Sequence, residues 1–228
     1  MENLKVIARI KTDFPTKFGI PRQSGLIEEL HGQIIMESAY RTPEAFRGLS
    51  DFSHIWLIWG FSEAKKENWS ATVRPPRLGG NVRMGVFATR SPYRPNPLGL
   101  SCVRLVGITY DEKLGPILEV AGADLMDGTP IYDIKPYLPL ADCRPDAIGG
   151  FAAQTVGDRL TVEFPETLRN KVPSHLQNAL TAALAGDPRP AYQNDPEREY
   201  GFPFAGMEIK FKVNENILTV THIEKSFH

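Results

Sequence analysis

Between Glu67 and Asp111 the chain contains no aspartate and no glutamate. The same stretch lacks lysine as well, yet it holds Arg74, Arg77, Arg83, Arg90, Arg94 and Arg104. A cation or a basic partner would find nothing to pair with there, whereas an anion would. Cysteine is scarce: Cys102 and Cys143 stand far apart, with no Cys-x-x-Cys pair to suggest a zinc ribbon or a redox couple. Both are expected to be buried, unpaired thiols. The histidines do not cluster with carboxylates along the sequence, so no metal site is expected. Long apolar runs are missing too. The longest cluster, Ile55–Phe61, is the size of a strand and far too short to cross a bilayer. Met1-Glu2-Asn3 lacks the basic-then-apolar layout of a signal peptide, so a soluble, cytoplasmic protein is expected. No Gly-x-Gly-x-x-Gly stands in a strand–turn–helix context, and there is no P-loop, His-Glu-x-x-His or Gly-x-Ser-x-Gly. These absences argue against a Rossmann cofactor site, a P-loop nucleotide site, a zincin and an α/β-hydrolase.

What is present points to β structure. The 228 residues suit one large domain or one domain with an appendage, and 42% apolar composition is enough for a core. Strands are expected at Val6–Ile10, Gly32–Glu37, Phe52–Phe61, Val86–Ala88, Leu100–Tyr110, Ile117–Ala121 and Ile131–Ile134. Thr42-Pro43-Glu44 reads as a capped helix start reaching about Gly48, and Asp124–Pro130 as a turn centred on Asp127-Gly128. Short strands, long irregular links and few helices favour a mainly β fold built as a closed or nearly closed barrel. Composition changes over Arg144–Gly157, which separates a barrel domain, residues 1–145, from a small α+β domain, residues 156–228. In the latter, Arg159–Phe164 is strand-like and Ser174-His175-Leu176-Gln177 fits a capping box opening a helix to Ala185. Met207–Val213 and Ile217–Lys225 form an expected hairpin across Asn214-Glu215-Asn216.

The arginine block is interleaved with Pro75, Pro76, Pro92, Pro95 and Pro97 and with Gly79, Gly80, Gly85 and Gly99. Proline stiffens a loop and glycine lets backbone approach closely, so the arginines can be presented in a fixed geometry with little ordering cost. A planar guanidinium fork matches phosphate and carboxylate. RNA is the partner this chemistry favours, although an ordinary solvated basic face shares the charge pattern.

Several longer words carry a resemblance. They are "PRQSG" at Pro21–Gly25, "DFSHIWLI" at Asp51–Ile58, "RPPRLGGNVRMGVFATRSPYRPNPLGLS" at Arg74–Ser101, "DLMDGTPIYDIKPYLP" at Asp124–Pro139 and "DPRPAY" at Asp187–Tyr192. Together they resemble the TsaA/TrmO family of S-adenosylmethionine-dependent tRNA methyltransferases. The resemblance implies a single-sheeted β-barrel and a homodimer with a shared methyl-donor site. It also implies methylation of N6 of N6-threonylcarbamoyladenosine at position 37, in the anticodon loop of threonine tRNA. It further implies that S-adenosyl-L-methionine is held by Pro21, Arg22 and Gln23, by Ser62 and Glu63, by Arg90, by Leu100, and by Leu125, Met126, Asp127 and Gly128. Where some members carry a His-Gln pair, this chain has Ser62-Glu63, which keeps backbone contacts but changes the side chains.

Methylating an N6 whose lone pair is delocalised requires loss of its proton, hence a base or a polarising group. Asp124, Asp133 and Lys135 are the catalytic candidates on this reading, with Lys135 either meeting a phosphate or the threonyl carboxylate or simply an exposed lysine. Asp127 is expected to hold its own turn or bind donor hydroxyls. Arg74, Arg77, Arg83 and Arg94 are assigned to RNA; in the C-terminal domain Arg189 and Tyr192 suit a looped-out base or equally an inter-domain contact, and a structural role with some part in holding tRNA is expected of them. His54, Trp56, Trp59 and Phe61 are read as core or interface residues. A non-catalytic RNA-binding barrel, and a methyltransferase of the same fold acting on a small molecule, remain the alternatives.

Overall fold

The structure, a computed structural model, describes residues 4–63, 69–75, 78, 81–155, 159–189, 193 and 195–226. Strands β1 (Ala8–Lys11), β2 (His31–Met36) and β3 (His54–Gly60) precede a small ribbon of β4 (Thr72–Val73) and β5 (Met84–Gly85). The long β6 (Leu98–Asp111), β7 (Gly115–Ala121) and β8 (Pro130–Pro136) come next. The six larger strands pair in the order β1-β2-β7-β6-β3-β8, and β8 returns to β1, the ring of pairings of a closed barrel. Closure has its origin in the sequence pattern. Buried residues alternate along β2 and β3, so one face of each strand must turn inward. Ile10, Ile34, Ile55, Leu57, Val103, Leu118 and Ile131 fill the interior.

Short α1 (Pro139–Asp142) leaves the barrel. A four-stranded sheet then forms from β9 (Thr161–Glu163), β10 (Tyr200–Phe204), β11 (Met207–Asn214) and β12 (Ile217–Lys225), ordered β10-β11-β12-β9. Helices α2 (Glu166–Arg169) and α3 (Ser174–Ala185) accompany it. The expected hairpin is there, with Asn214 paired to Ile217 and Glu215 at φ 52° in the tight turn. The apolar side chains of α3 and the sheet form a second core. This core is not confined to residues 156–228, because Phe14, Ile27 and Leu30 from the β1–β2 connection are buried in it.

Four local expectations are corrected. Val86–Ala88 is a single 3-10 turn, closed by the Thr89 N–H and hydroxyl donating to Val86 O at 3.1 and 2.9 Å. Pro43–Phe46 is likewise a 3-10 turn, and Thr42 makes no side-chain cap. The capping box at Ser174 does not form. Gln177 instead donates from Nε2 to Arg169 O and Val172 O, both at 3.1 Å, and so ties α3 to the preceding turn. Cys102 is half-buried but Cys143 is exposed, and both are free.

Candidate active site

One cavity of about 440 Å³ opens beside the barrel, in the size range of small-molecule sites. Stretches of chain that are remote in sequence build it. The β1–β2 connection supplies Pro21, Arg22 and Gln23; the end of β3 supplies Ser62 and Glu63. The loop before β6 and the start of β6 supply Arg90, Arg94 and Leu100, and the β7–β8 turn supplies Asp124 and Met126. Ten expected donor or substrate residues thus converge on one wall system. Also lining it, and not assigned to it from the sequence, are Lys17, Ile20, Trp59, Phe61, Tyr93, Leu98 and Thr129. Trp59 and Phe61 share the inward parity of Ile55 and Leu57, so alternation along β3 was the available signal.

Local chemistry fixes several of these groups. Arg90 Nη1 donates to Gln23 Oε1, while Gln23 Nε2 donates to Arg22 O at 2.6 Å. The amide is therefore held from both ends, and the arginine loop is latched to the Pro-Arg-Gln stretch. Arg94 donates to Thr89 O at 3.2 Å, which braces its own loop.

A donor chain runs along the inner wall. Trp59 Nε1 donates to Ser101 Oγ at 2.9 Å, and Ser101 donates to Asp124 Oδ1 at 2.6 Å. An indole N–H only donates, so Ser101 Oγ accepts from it and keeps its own hydroxyl proton for Asp124 Oδ1. Ser101 is 1% exposed, so this arrangement has no water to compete with it. Burial pushes the Asp124 carboxyl above its ordinary value of 3.8; the Ser101 hydroxyl, the backbone N–H groups of Asp124 and Ser24, and the Arg90 charge act against that rise. Trp59 lies flat on Gly99, its partner on β6, where a methyl group would overlap the indole.

The Asp-Gly turn performs two separate tasks. Met126 reaches the cavity, but Leu125 is 1% exposed in the barrel core and cannot offer its side chain to a ligand. Asp127 Oδ1 accepts the Thr12 N–H at 3.0 Å, and the Asp127 N–H donates to Phe14 O at 2.8 Å. Gly128, at φ 74°, closes the turn, and its carbonyl accepts Arg9 Nη1 at 3.0 Å. Asp127 and Gly128 therefore shape the turn, as expected for Asp before Gly, and do not line the cavity.

Asp133 and Lys135 are not brought to the cavity, which corrects the expectation of a catalytic role there. Strand β8 bulges at Tyr132, between the pairs Ile58–Asp133 and Trp59–Ile131. The extra residue reverses the facing of the rest of the strand. Ile134, opposite buried Leu57, packs on the barrel core, and Asp133 and Lys135 turn outward and pair with each other at 2.8 Å.

Arg74 and Arg83 are exposed near the ribbon, with Arg83 donating to Thr72 Oγ1 at 3.3 Å. Arg77 and Tyr192 lie outside the described residues. Arg189 is 11% exposed on its side chain and makes a bidentate pair with Asp187, at 2.8 and 2.9 Å. This pairing gives it a structural part within its own loop. Among the described residues no group of histidine, cysteine and carboxylate side chains could hold a metal ion.

The chemistry of the lining suits the implied donor, a zwitterion with an added positive centre and an aromatic base. Lys17, Arg22, Arg90 and Arg94 offer partners for a carboxylate, Glu63 and Asp124 for positive charge, and Ile20, Trp59, Phe61 and Leu98 apolar contact.

Residues 9–143 match the family model of the tRNA-methyltransferase O N-terminal domain, and residues 157–226 match the TrmO C-terminal domain. A tRNA (adenine(37)-N6)-methyltransferase from Escherichia coli K12 is 39% identical over 218 residues, 92% of each chain. A Pseudomonas aeruginosa PAO1 protein named putative S-adenosylmethionine-dependent methyltransferase RcsF is 42% identical over 212 residues, 89% of each chain. A crystal structure of TrmO from P. aeruginosa superimposes with a TM-score of 0.80 at 31% identity, covering 99% of this chain and 98% of that one. Its two halves, its motifs and its fold all agree: the chain belongs to the TsaA/TrmO family of S-adenosylmethionine-dependent tRNA methyltransferases.

Proposed function

We propose that the chain methylates N6 of adenosine 37 in tRNA, and that the nucleoside it acts on is N6-threonylcarbamoyladenosine in threonine tRNA. The observation that carries this reading is the convergence of the Pro21–Gln23, Arg90 and Asp124 motifs on a single cavity. S-Adenosylmethionine, when bound, supplies a methyl group already activated by a positive sulfur. The protein's contribution is then alignment, exclusion of water and management of one proton.

Asp124 is the group assigned to that proton. Of the two lining carboxylates, Glu63 is exposed, whereas Asp124 sits on the inner wall with its carboxyl pushed up by burial. A carboxylate so raised holds a proton more strongly, and so is the stronger base once ionised, as a general base must be. Ser101 keeps Oδ1 as an acceptor and fixes the plane of the carboxylate. Arg90 holds the Gln23 side chain, so loss of Arg90 frees the Gln23 amide oxygen and leaves that amide tied only to Arg22 O.

Arg94 and Arg22 suit a carboxylate such as that of the threonyl group, and exposed Arg74 and Arg83 suit the RNA backbone. A homodimer sharing the donor site is part of the same proposal. It is supported by Leu98 and Leu100, which line the cavity yet remain 36% and 52% exposed. Sedimentation of the pure protein at micromolar concentration checks this, with a dimer expected.

The substrate assignment is tested by incubating the enzyme and donor with threonine tRNA prepared with and without the threonylcarbamoyl group, then analysing nucleosides by mass spectrometry. Methylation only of the tRNA bearing that group is expected. Equal methylation of plain adenosine 37 would remove the threonylcarbamoyl requirement.

A further inference from the structure

The β1–β2 connection carries Pro21–Gln23, but its apolar anchors are not in the barrel. Phe14, Ile27 and Leu30 are buried in the C-terminal core, and Ile20 packs against it. The Phe14 ring meets Phe204 of β10 edge-on at 5.3 Å. Gly19, at φ 83°, lies directly on the Phe202 ring, with no room for a methyl group between them. Two polar ties add to this: the Ala205 N–H donates to Asp13 O at 2.8 Å, and Arg159 Nη2 donates to Leu26 O at 2.9 Å.

The same segment also reaches the other wall of the cavity. Phe14 O accepts the Asp127 N–H, and the Thr12 hydroxyl donates to Leu125 O at 3.1 Å. The Pro21–Gln23 wall, and through the Thr12 and Phe14 contacts the turn that carries Asp124 and Met126, are therefore tied to a stretch of chain whose hydrophobic attachment is the C-terminal sheet. A loop held this way is ordered before any ligand arrives, which spares the ordering cost on binding.

We propose that the C-terminal sheet is a positioning element of the donor site, acting through Phe202, Phe204 and Arg159, so that donor affinity depends on it even with no RNA present. This rests on the cavity being the donor site. A C-terminal region that served RNA alone would leave donor affinity indifferent to these residues.

The test is calorimetric titration of the full chain with S-adenosylmethionine, without tRNA, for the wild type and for Phe202→Ala, Phe202→Leu, Arg159→Gln and Arg90→Ala. If removing the Phe202 ring leaves the wall correctly placed in about a tenth of molecules, affinity falls about tenfold. Phe202→Leu, which keeps most of the apolar contact, restores most of that loss. Arg159→Gln, a surface change that leaves both cores intact, weakens binding by about twofold to threefold on the same population argument. It decides the question if Phe202→Ala folds poorly. Wild-type affinity in both Phe202→Ala and Arg159→Gln overturns the proposal while leaving the donor site in place, provided Arg90→Ala loses binding. A wild type that does not bind, or Arg90→Ala binding as the wild type does, overturns the reading of the cavity and the proposal with it.

Discussion

Gly99 and Ser101 are two small residues on β6, and each controls a larger one. Gly99 leaves space for the Trp59 indole, and Ser101 receives the indole N–H and directs its own proton to Asp124. Gly99→Ala is expected to displace Trp59 and cost about 1–3 kcal/mol, as overpacking of a filled interior does. Denaturant unfolding measures the cost, and the emission of Trp59 reports the displacement. Ser101→Ala leaves a buried indole N–H without its acceptor and a carboxylate short of one donor, for a loss of about 1–3 kcal/mol. Because the Ser101 hydroxyl lowers the Asp124 pKa, its removal moves the acid limb of the methyl-transfer pH profile upward. Stability depends on the same group with a definite sign. The folded Asp124 pKa lies above the unfolded value of 3.8, so its contribution is fully present below 3.8 and is lost as pH rises through the raised value. Compared with Asp124→Asn, the wild type should lose stability over that rise, as measured by unfolding at a series of pH values. A flat difference would show that Asp124 titrates alike in both states.

Among the elements, the strands were legible and some of their details were not. Alternation marks β2 and β3, and the turn residues Asp127-Gly128 mark the β7–β8 connection, because these signals are local. Pro21–Gln23, Arg90 and Asp124 were legible as site residues only as words of a family. The Trp59–Ser101–Asp124 chain was not legible, since it exists only where β3, β6 and the β7–β8 turn meet in space. The outward facing of Asp133 and Lys135 depends on one extra residue at Tyr132, which no alternation pattern announces. Val86–Ala88 has strand composition, but Thr89 closes a turn on it. Arg189 makes a related point. In sequence it is a cation near Tyr192, whereas in the structure Asp187, at φ 54°, accepts from its Nε and Nη2. Arg189→Ala is accordingly expected to cost about 1.5–3 kcal/mol of stability, the range for hydrogen bonds to charged groups. Its effect on tRNA affinity measured well below the unfolding transition should be small. A large loss of tRNA affinity with unchanged stability would return Arg189 to the RNA surface.

The whole molecule carries a net charge of −1, yet it concentrates arginine in one carboxylate-free stretch. On the proposed reading, RNA binding is expected to depend on that stretch and not on the overall charge. Arg74→Ala and Arg83→Ala should each weaken tRNA binding. Each lost phosphate contact should flatten the dependence of log affinity on log salt by about 0.7–0.9. Filter binding over a salt series checks this, and donor affinity should not change. The central claim is that the cavity joining Pro21–Gln23, Arg90 and Asp124 is where the methyl group is transferred, with Asp124 taking the proton. It is tested most directly by the single-turnover rate of methyl transfer to N6 in threonylcarbamoylated tRNA, with enzyme and donor saturating, for Asp124→Asn against the wild type. A fall of about 10²–10⁴-fold is predicted, the usual contribution of a general base; an unchanged rate would contradict the account.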